Sequence, residues 1–299
     1  MLTIYTHSWS PCTKEFWKWV ARKVIRKYSG PDAVRDSLER GLTTHGIPFI
    51  TDPFFPRRGV TLVLSGVHAL RSSILRKKSG KVTRLIAGPN IVSHPNHSDK
   101  IILSDEIDSI LMPSQWTIDF WSNKAPGIAH KIVFWPAGVS EHNGSTRIGN
   151  PIIYNKRPDT ADAQKIADSL RSRGIESTML TYGAFKQVEY FTLLSEAPYL
   201  VYVSEVESQG LALQEAWSRD VPTFVPFSGK FTAPHGSWSD PKINAPLLTD
   251  ELGGFFQNEY ELYALIENAK DIHPKIYCDA NLSDFASVKK LLPVVYSAS

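Results

Sequence analysis

Cysteine is almost absent: Cys12 and Cys278 are the two in 299 residues. They lie far apart and form no metal-ligand spacing, which excludes a cysteine-built zinc site and a disulfide framework. Two ordinary buried thiols in a reducing cytosol are expected. No run approaches eighteen apolar residues, so no membrane-spanning helix is expected. Residues 1–9, MLTIYTHSW, carry neither a basic start nor an apolar stretch, and no signal peptide is expected. No Asp-x-Asp stands in a turn after a strand, so nothing in the sequence requires a divalent metal. The basic residues gather into no nucleic-acid-binding motif, which removes nucleic acid from the expected partners. Solenoid repeats and low-complexity tails are missing as well.

What is present is core material, 42% hydrophobic and 11% aromatic, at a length suited to two domains. Apolar runs at 2–5, 60–64, 84–87, 109–112 and 131–135 alternate with helical patterns at 14–28, 33–42, 67–76 and 115–122. The second half repeats the plan. Strands are expected at 151–154, 177–181 and 199–203, and helices at 161–173, 186–195 and 259–270. Thr160 and Asn258 serve as N-caps, and Gly174 as a stop. Such alternation predicts parallel sheets and an α/β fold. Turn formers crowd 136–149, and a boundary there gives domains 1–140 and 141–299. The net charge of +3 is uneven: residues 1–135 hold 19 Lys and Arg against 10 Asp and Glu, and the rest 14 against 20. Basic clusters at 14–27, Arg57-Arg58 and Arg71 to Lys78 suit an anionic acceptor or an anionic membrane surface. On the first helix Lys14, Lys18, Arg22 and Arg26 form one stripe, beside an apolar stripe of Trp17, Val20, Val24 and Tyr28.

The most informative stretch runs from Glu207 to Glu215, between the apolar run at 199–203 and another closed by Pro226. It reads strand, loop, helix, strand, with a ligand crevice at the strands' carboxyl ends. A helix from about Ser208 puts positions 208, 211 and 215 on one face, so Glu215 stands beneath the loop that carries Glu207. The amides of Gln209, Gly210 and Leu211 then open a helix N-terminus, which suits a diphosphate, and Gly210 admits close backbone approach.

This stretch resembles the Glu-x7-Glu signature of retaining glycosyltransferases of the GT-B fold, especially family 4. The resemblance is closest over 147–230 and looser over 60–140. It implies two Rossmann-like domains facing across a cleft. It implies that Glu215 accepts hydrogen bonds from the ribose of a nucleotide sugar such as a UDP-sugar, and that Glu207 contacts the transferred sugar. Lys156 and Arg157 follow the first strand of the second domain, where the family holds the donor diphosphate. Its usual Arg and Lys lie about five residues apart, so which of this adjacent pair binds phosphate stays open. Gly183 ends the next strand, close to the nucleotide base in related enzymes. Asn90 stands where members place a histidine or polar residue against the sugar, with His94 four residues later, and His68, after the preceding strand, is the other candidate. The usual glycine-rich loop after the first strand is replaced by residues 6–11, with His7 and Ser8 on the acceptor side.

The implied activity is sugar transfer, with retention, to a carbohydrate, lipid-linked or protein glycan acceptor. No cofactor beyond the donor is implied. Two rivals stand beside it: a nucleotide-sugar epimerase, which needs paired acids and a histidine across the cleft, and a non-catalytic nucleotide-sugar-binding scaffold. The expected location is cytoplasmic, with peripheral contact to an anionic membrane.

Overall fold

A computed structural model of the chain describes residues 1–8, 10–25, 29–55, 57–233 and 236–297. It forms two compact units, Met1–Gly138 with Asp284–Ser299, and Val139–Ser283.

The first unit is built from β1 (Leu2–Tyr5), α1 (Lys14–Ile25), α2 (Gly30–Thr44), β2 (Phe49–Thr51), β3 (Gly59–Ser65), α3 (Val67–Lys78), β4 (Val82–Asn90), β5 (Ser109–Met112), α4 (Gln115–Lys124) and β6 (Ile132–Phe134). Its strands form one parallel sheet in the order β2-β1-β3-β4-β5-β6. Every residue of β1 and β5 is buried, as expected of strands covered on both faces. The short β2 has no counterpart among the expected strands, because three half-buried residues give no readable period. Strand order reverses between β1 and β3, the position where ligands enter such sheets. There Glu15 of α1 caps α3, accepting from the backbone N–H of His68 at 2.6 Å.

The second unit contains β7 (Ile152–Asn155), α5 (Asp162–Ser172), β8 (Thr178–Thr181), α6 (Gln187–Leu194), β9 (Leu200–Val203), α7 (Leu211–Trp217), β10 (Thr223–Pro226), β11 (Lys230–Ala233), β12 (Gly236–Ser239), β13 (Gly253–Phe256), α8 (Glu259–Asn268) and α9 (Pro274–Asn281). Its parallel sheet runs β13-β10-β9-β7-β8, and β11 and β12 make a separate antiparallel hairpin. Order reverses between β7 and β9. One face packs Tyr154, Tyr190, Tyr202 and Trp217 together, and the other packs Ile153, Leu170, Val201 and Phe224. Asn258 caps α8 as expected, accepting from Glu261 N at 3.1 Å. Ala161, not Thr160, holds the cap position of α5, and the Thr160 hydroxyl turns back to Arg157 O.

The last helix, α10 (Asp284–Tyr296), belongs to the first unit and not to the second, as a single boundary at 140 requires. It is held there by α2. Arg40 pairs with Asp284 at 2.6 Å, the His45 and Phe285 rings stack at 4.0 Å, and the indole of Trp135 donates to Ser287 O at 3.2 Å. Cys278 is buried, but Cys12 is exposed, against the expectation of two buried thiols.

Candidate functional site

The carboxyl ends of β7 and β9 flank the reversal point of the second sheet, and the sequence places Lys156 directly after one and Glu207 four residues past the other. Tyr154 and Tyr202 are register partners on these strands, with rings stacked 5.1 Å apart. Glu207 Oε1 accepts from Lys156 Nζ in a short ion pair, from Tyr202 OH at 2.8 Å and from Ser204 Oγ at 3.0 Å. The backbone N–H of Glu207 donates to Ile243 O at 2.9 Å. Neighbouring Asn244, fully buried, donates to Ser204 O and Pro226 O and ties the loop to β10. Lys156 Nζ also lies 5.0 Å from the centre of the Tyr182 ring. A carboxylate with three named partners is held in one orientation, and its lysine is poised between acid and aromatic face.

Glu215 sits on α7, where Oε1 accepts from Gln187 Nε2 at 2.9 Å. Part of its side chain still reaches solvent, yet burial pushes its carboxyl up to about 7, against opposing effects from the Gln187 hydrogen bond and the Arg219 charge. The Tyr154 phenol is raised by burial first, then by Glu215, Tyr182 and Glu207. Both motif glutamates therefore act on one phenol at the end of β7. Burial and the Glu207 charge also push the Tyr202 phenol well up.

The helix starts later than expected. Gly210 adopts φ +80°, the left-handed region that favours glycine, and α7 begins at Leu211. Ser208 is therefore an exposed loop residue off the helical face of Glu215. Gln209 is buried and its amide donates to Gln214 Oε1 at 2.8 Å. Lys156 and Arg157 diverge: Arg157 Nη1 lies 3.3 Å from Asp162 Oδ2 at the start of α5. Gly183, at φ +84°, turns the chain after β8, with open space where a Cβ would stand.

Asn90 lies in the other unit, at the end of β4 beside Ser65 of β3, and its buried Nδ2 has no hydrogen-bond partner among the described residues. His94 is buried, with Nδ1 accepting from Asn96 N at 3.1 Å; His68 contributes its backbone to the Glu15 cap. Among the described residues no group of three or more His, Cys, Asp or Glu is placed to hold a metal ion. The partners that orient the glutamates, Tyr202, Ser204, Gln187 and Ile243, were not singled out from sequence. Tyr202 had a signal: a hydroxyl-bearing aromatic near the end of an otherwise aliphatic strand.

No protein-family model matches this chain, and no curated protein sequence matches it. Solved structures do. One is the apo form of the lipopolysaccharide outer core galactosyltransferase WaaB, with TM-score 0.55, 13% identity and 99% of each chain covered. Another is WaaG, a glycosyltransferase involved in lipopolysaccharide biosynthesis, at 0.53 and 9% over 100% of each chain. TarM matches at 0.53 and 12% over 79% of this chain, which spans 55% of TarM's length. A mutant TarM from S. aureus, in complex with Fondaparinux, alpha-GlcNAc-glycerol and UDP, matches at 0.51. At such identities the likeness shows the fold: α/β, with two Rossmann-like units.

Proposed function

We propose that this chain is a retaining glycosyltransferase of the family 4 type, moving a sugar from a nucleotide-sugar donor to a glycan acceptor. The observation that carries the reading is the Lys156–Glu207 pair at the reversal point of the second sheet. A lysine held only by one carboxylate and a ring face is free to turn to a diphosphate, and Glu207 is then released to the hydroxyls of the transferred sugar. Lys156 is the better phosphate ligand of the adjacent pair, since Arg157 turns to Asp162. Gly210 and the start of α7 carry the backbone past the phosphates, Glu215 takes the ribose hydroxyls, and Gly183 leaves room for the base.

In the reaction the acceptor oxygen bonds to the anomeric carbon while the bond from that carbon to phosphate breaks. The acceptor proton passes to the departing diphosphate on the same face. Lys156 offsets the charge that develops there. No protein carboxylate serves as nucleophile, which suits glutamates engaged by sugar and ribose. UDP supports the choice of donor base, as the ligand of a TarM structure of this fold. The exposed aromatics and basic residues of the first unit suit peripheral contact with an anionic membrane.

Calorimetric titration with UDP and GDP tests the site, and a panel of sugar nucleotides tests turnover by hydrolysis. One nucleotide should bind and one donor should be hydrolysed. Binding of neither nucleotide sinks the reading. The anomeric coupling of the product in proton NMR tests retention, and a β-linked product from an α-linked donor ends that part of it.

A further inference from the structure

A cavity of about 190 Å³ lies wholly within the first unit, beside the reversal point between β1 and β3. Its wall comes from three elements: the loop after β1, the loop after β2, and α3. That volume is smaller than the roughly 300–1,000 Å³ of drug-sized pockets and suits one monosaccharide ring. Two features set its chemistry. Arg76 lines it and, among the described residues, forms an ion pair with no carboxylate; its Nη2 donates to Arg57 O, which leaves most of the guanidinium's five N–H groups available. Tyr5 also lines it, is buried, and holds its hydroxyl beside Arg76, close enough for the guanidinium to act on it by charge and by hydrogen bonding, though outside ordinary hydrogen-bond geometry. Burial dominates and raises that phenol, against the lowering effect of the Arg76 charge and hydrogen bond, so an anion on Arg76 would be felt at Tyr5.

The remaining wall is partly tied by hydrogen bonds. His7 is buried with Nδ1 3.3 Å from Asp52 Oδ2, and Asp52 in turn accepts from Thr6 N at 2.7 Å. Ser8 and Ser73 are buried and Ser10 and Ser72 open to solvent, while the Tyr5 and Phe54 rings offer apolar surface to sugar C–H groups.

We infer that this cavity binds a monosaccharide carrying an anionic substituent, a phosphate or carboxylate on Arg76, with the ring against Tyr5 and Phe54. Assigning it to the acceptor rests on the transferase reading; as a binding site it stands alone. Glucose 6-phosphate is the probe, against uncharged glucose and inorganic phosphate, by calorimetry on the full chain. Glucose 6-phosphate should bind at least tenfold more tightly than either fragment. Arg76→Gln should weaken it at least tenfold, and Tyr5→Phe by roughly threefold or more, with unchanged UDP affinity and unchanged near-ultraviolet circular dichroism. Absence of glucose 6-phosphate binding overturns the inference, as does equal binding of glucose or equal binding by Arg76→Gln. Glucose 6-phosphate binding without nucleotide binding leaves this site standing and removes the transferase; the converse removes only this site.

Discussion

At the scale of single residues, the two motif glutamates are set to different tasks by their surroundings. Glu207 is ion-paired and triply hydrogen-bonded through one oxygen. Glu207→Gln keeps its shape and removes its charge, so turnover should fall far more than donor affinity if the contact is to the transferred sugar. Parallel losses in kcat and in nucleotide affinity would assign Glu207 to scaffolding. Glu215→Ala should weaken nucleotide binding by about 1–3 kcal/mol, as expected for lost hydrogen bonds to ribose. Unchanged UDP and GDP titrations of the folded variant would refute that role. Glu215 also predicts a pH dependence. Its folded pKa, about 7, stands above the ordinary carboxylate value, so the folded state binds more protons between roughly pH 4.5 and 7. The favourable contribution is complete below the unfolded value and is lost as pH rises through 7. Glu215→Gln should remove that slope, stabilising the protein relative to wild type at pH 8 by on the order of 1–3 kcal/mol and changing little at pH 4. Denaturant melts across that range measure it, and parallel curves would refute it.

At the scale of elements, local signals carried well and long-range pairings did not. The strand, loop and helix around Glu207 were legible because an apolar run, a glycine and an amphipathic turn are contiguous in sequence. The partners were not. Tyr202 meets Glu207 through strand register, Gln187 meets Glu215 from α6, and Ile243 arrives from beyond the β11–β12 hairpin. The left-handed Gly210 shortened the expected helix for a reason a period cannot show. Nor does α10 carry any mark of which sheet it covers, since its apolar face would suit either. What decides is fit against α2 at Gly41, where an added Cβ would lie 2.4 Å from Asp284 O and 2.5 Å from the Val288 side chain. Gly41→Ala should therefore destabilise the protein by about 1–3 kcal/mol through overpacking. Gly127→Ala, with open space around it, serves as the control. Equal urea midpoints for the two variants would show that α10 is not seated by this contact.

At the scale of the whole molecule, charge follows the division into units. The first unit, with α10, holds 21 Lys and Arg against 11 Asp and Glu, and the second 12 against 19. No helix of the described residues is long and apolar enough to cross a membrane. The basic stripe expected on α1 is visible in part: Lys14 and Lys18 are exposed, while the side chains of Arg22 and Val24, and all of Arg26 and Tyr28, lie outside the described residues. Trp17, on the expected apolar stripe, is 60% exposed, with its indole donating to Pro11 O. Phe54 and Phe55 are 67% and 79% exposed, and Arg57 and Arg58 follow them into solvent. Aromatic rings beside cations suit a lipid interface, where a basic residue contributes about 1 kcal/mol near an anionic surface. Liposome flotation should show binding to vesicles containing phosphatidylglycerol at low salt, little binding to pure phosphatidylcholine, and release at high salt as the charges are screened. Replacing Phe54 and Phe55 together by serine should weaken the residual salt-resistant part, and replacing Arg57 and Arg58 by glutamine the salt-sensitive part. Binding indifferent to lipid charge, or no flotation at all, would leave the basic face of the first unit to a soluble acceptor.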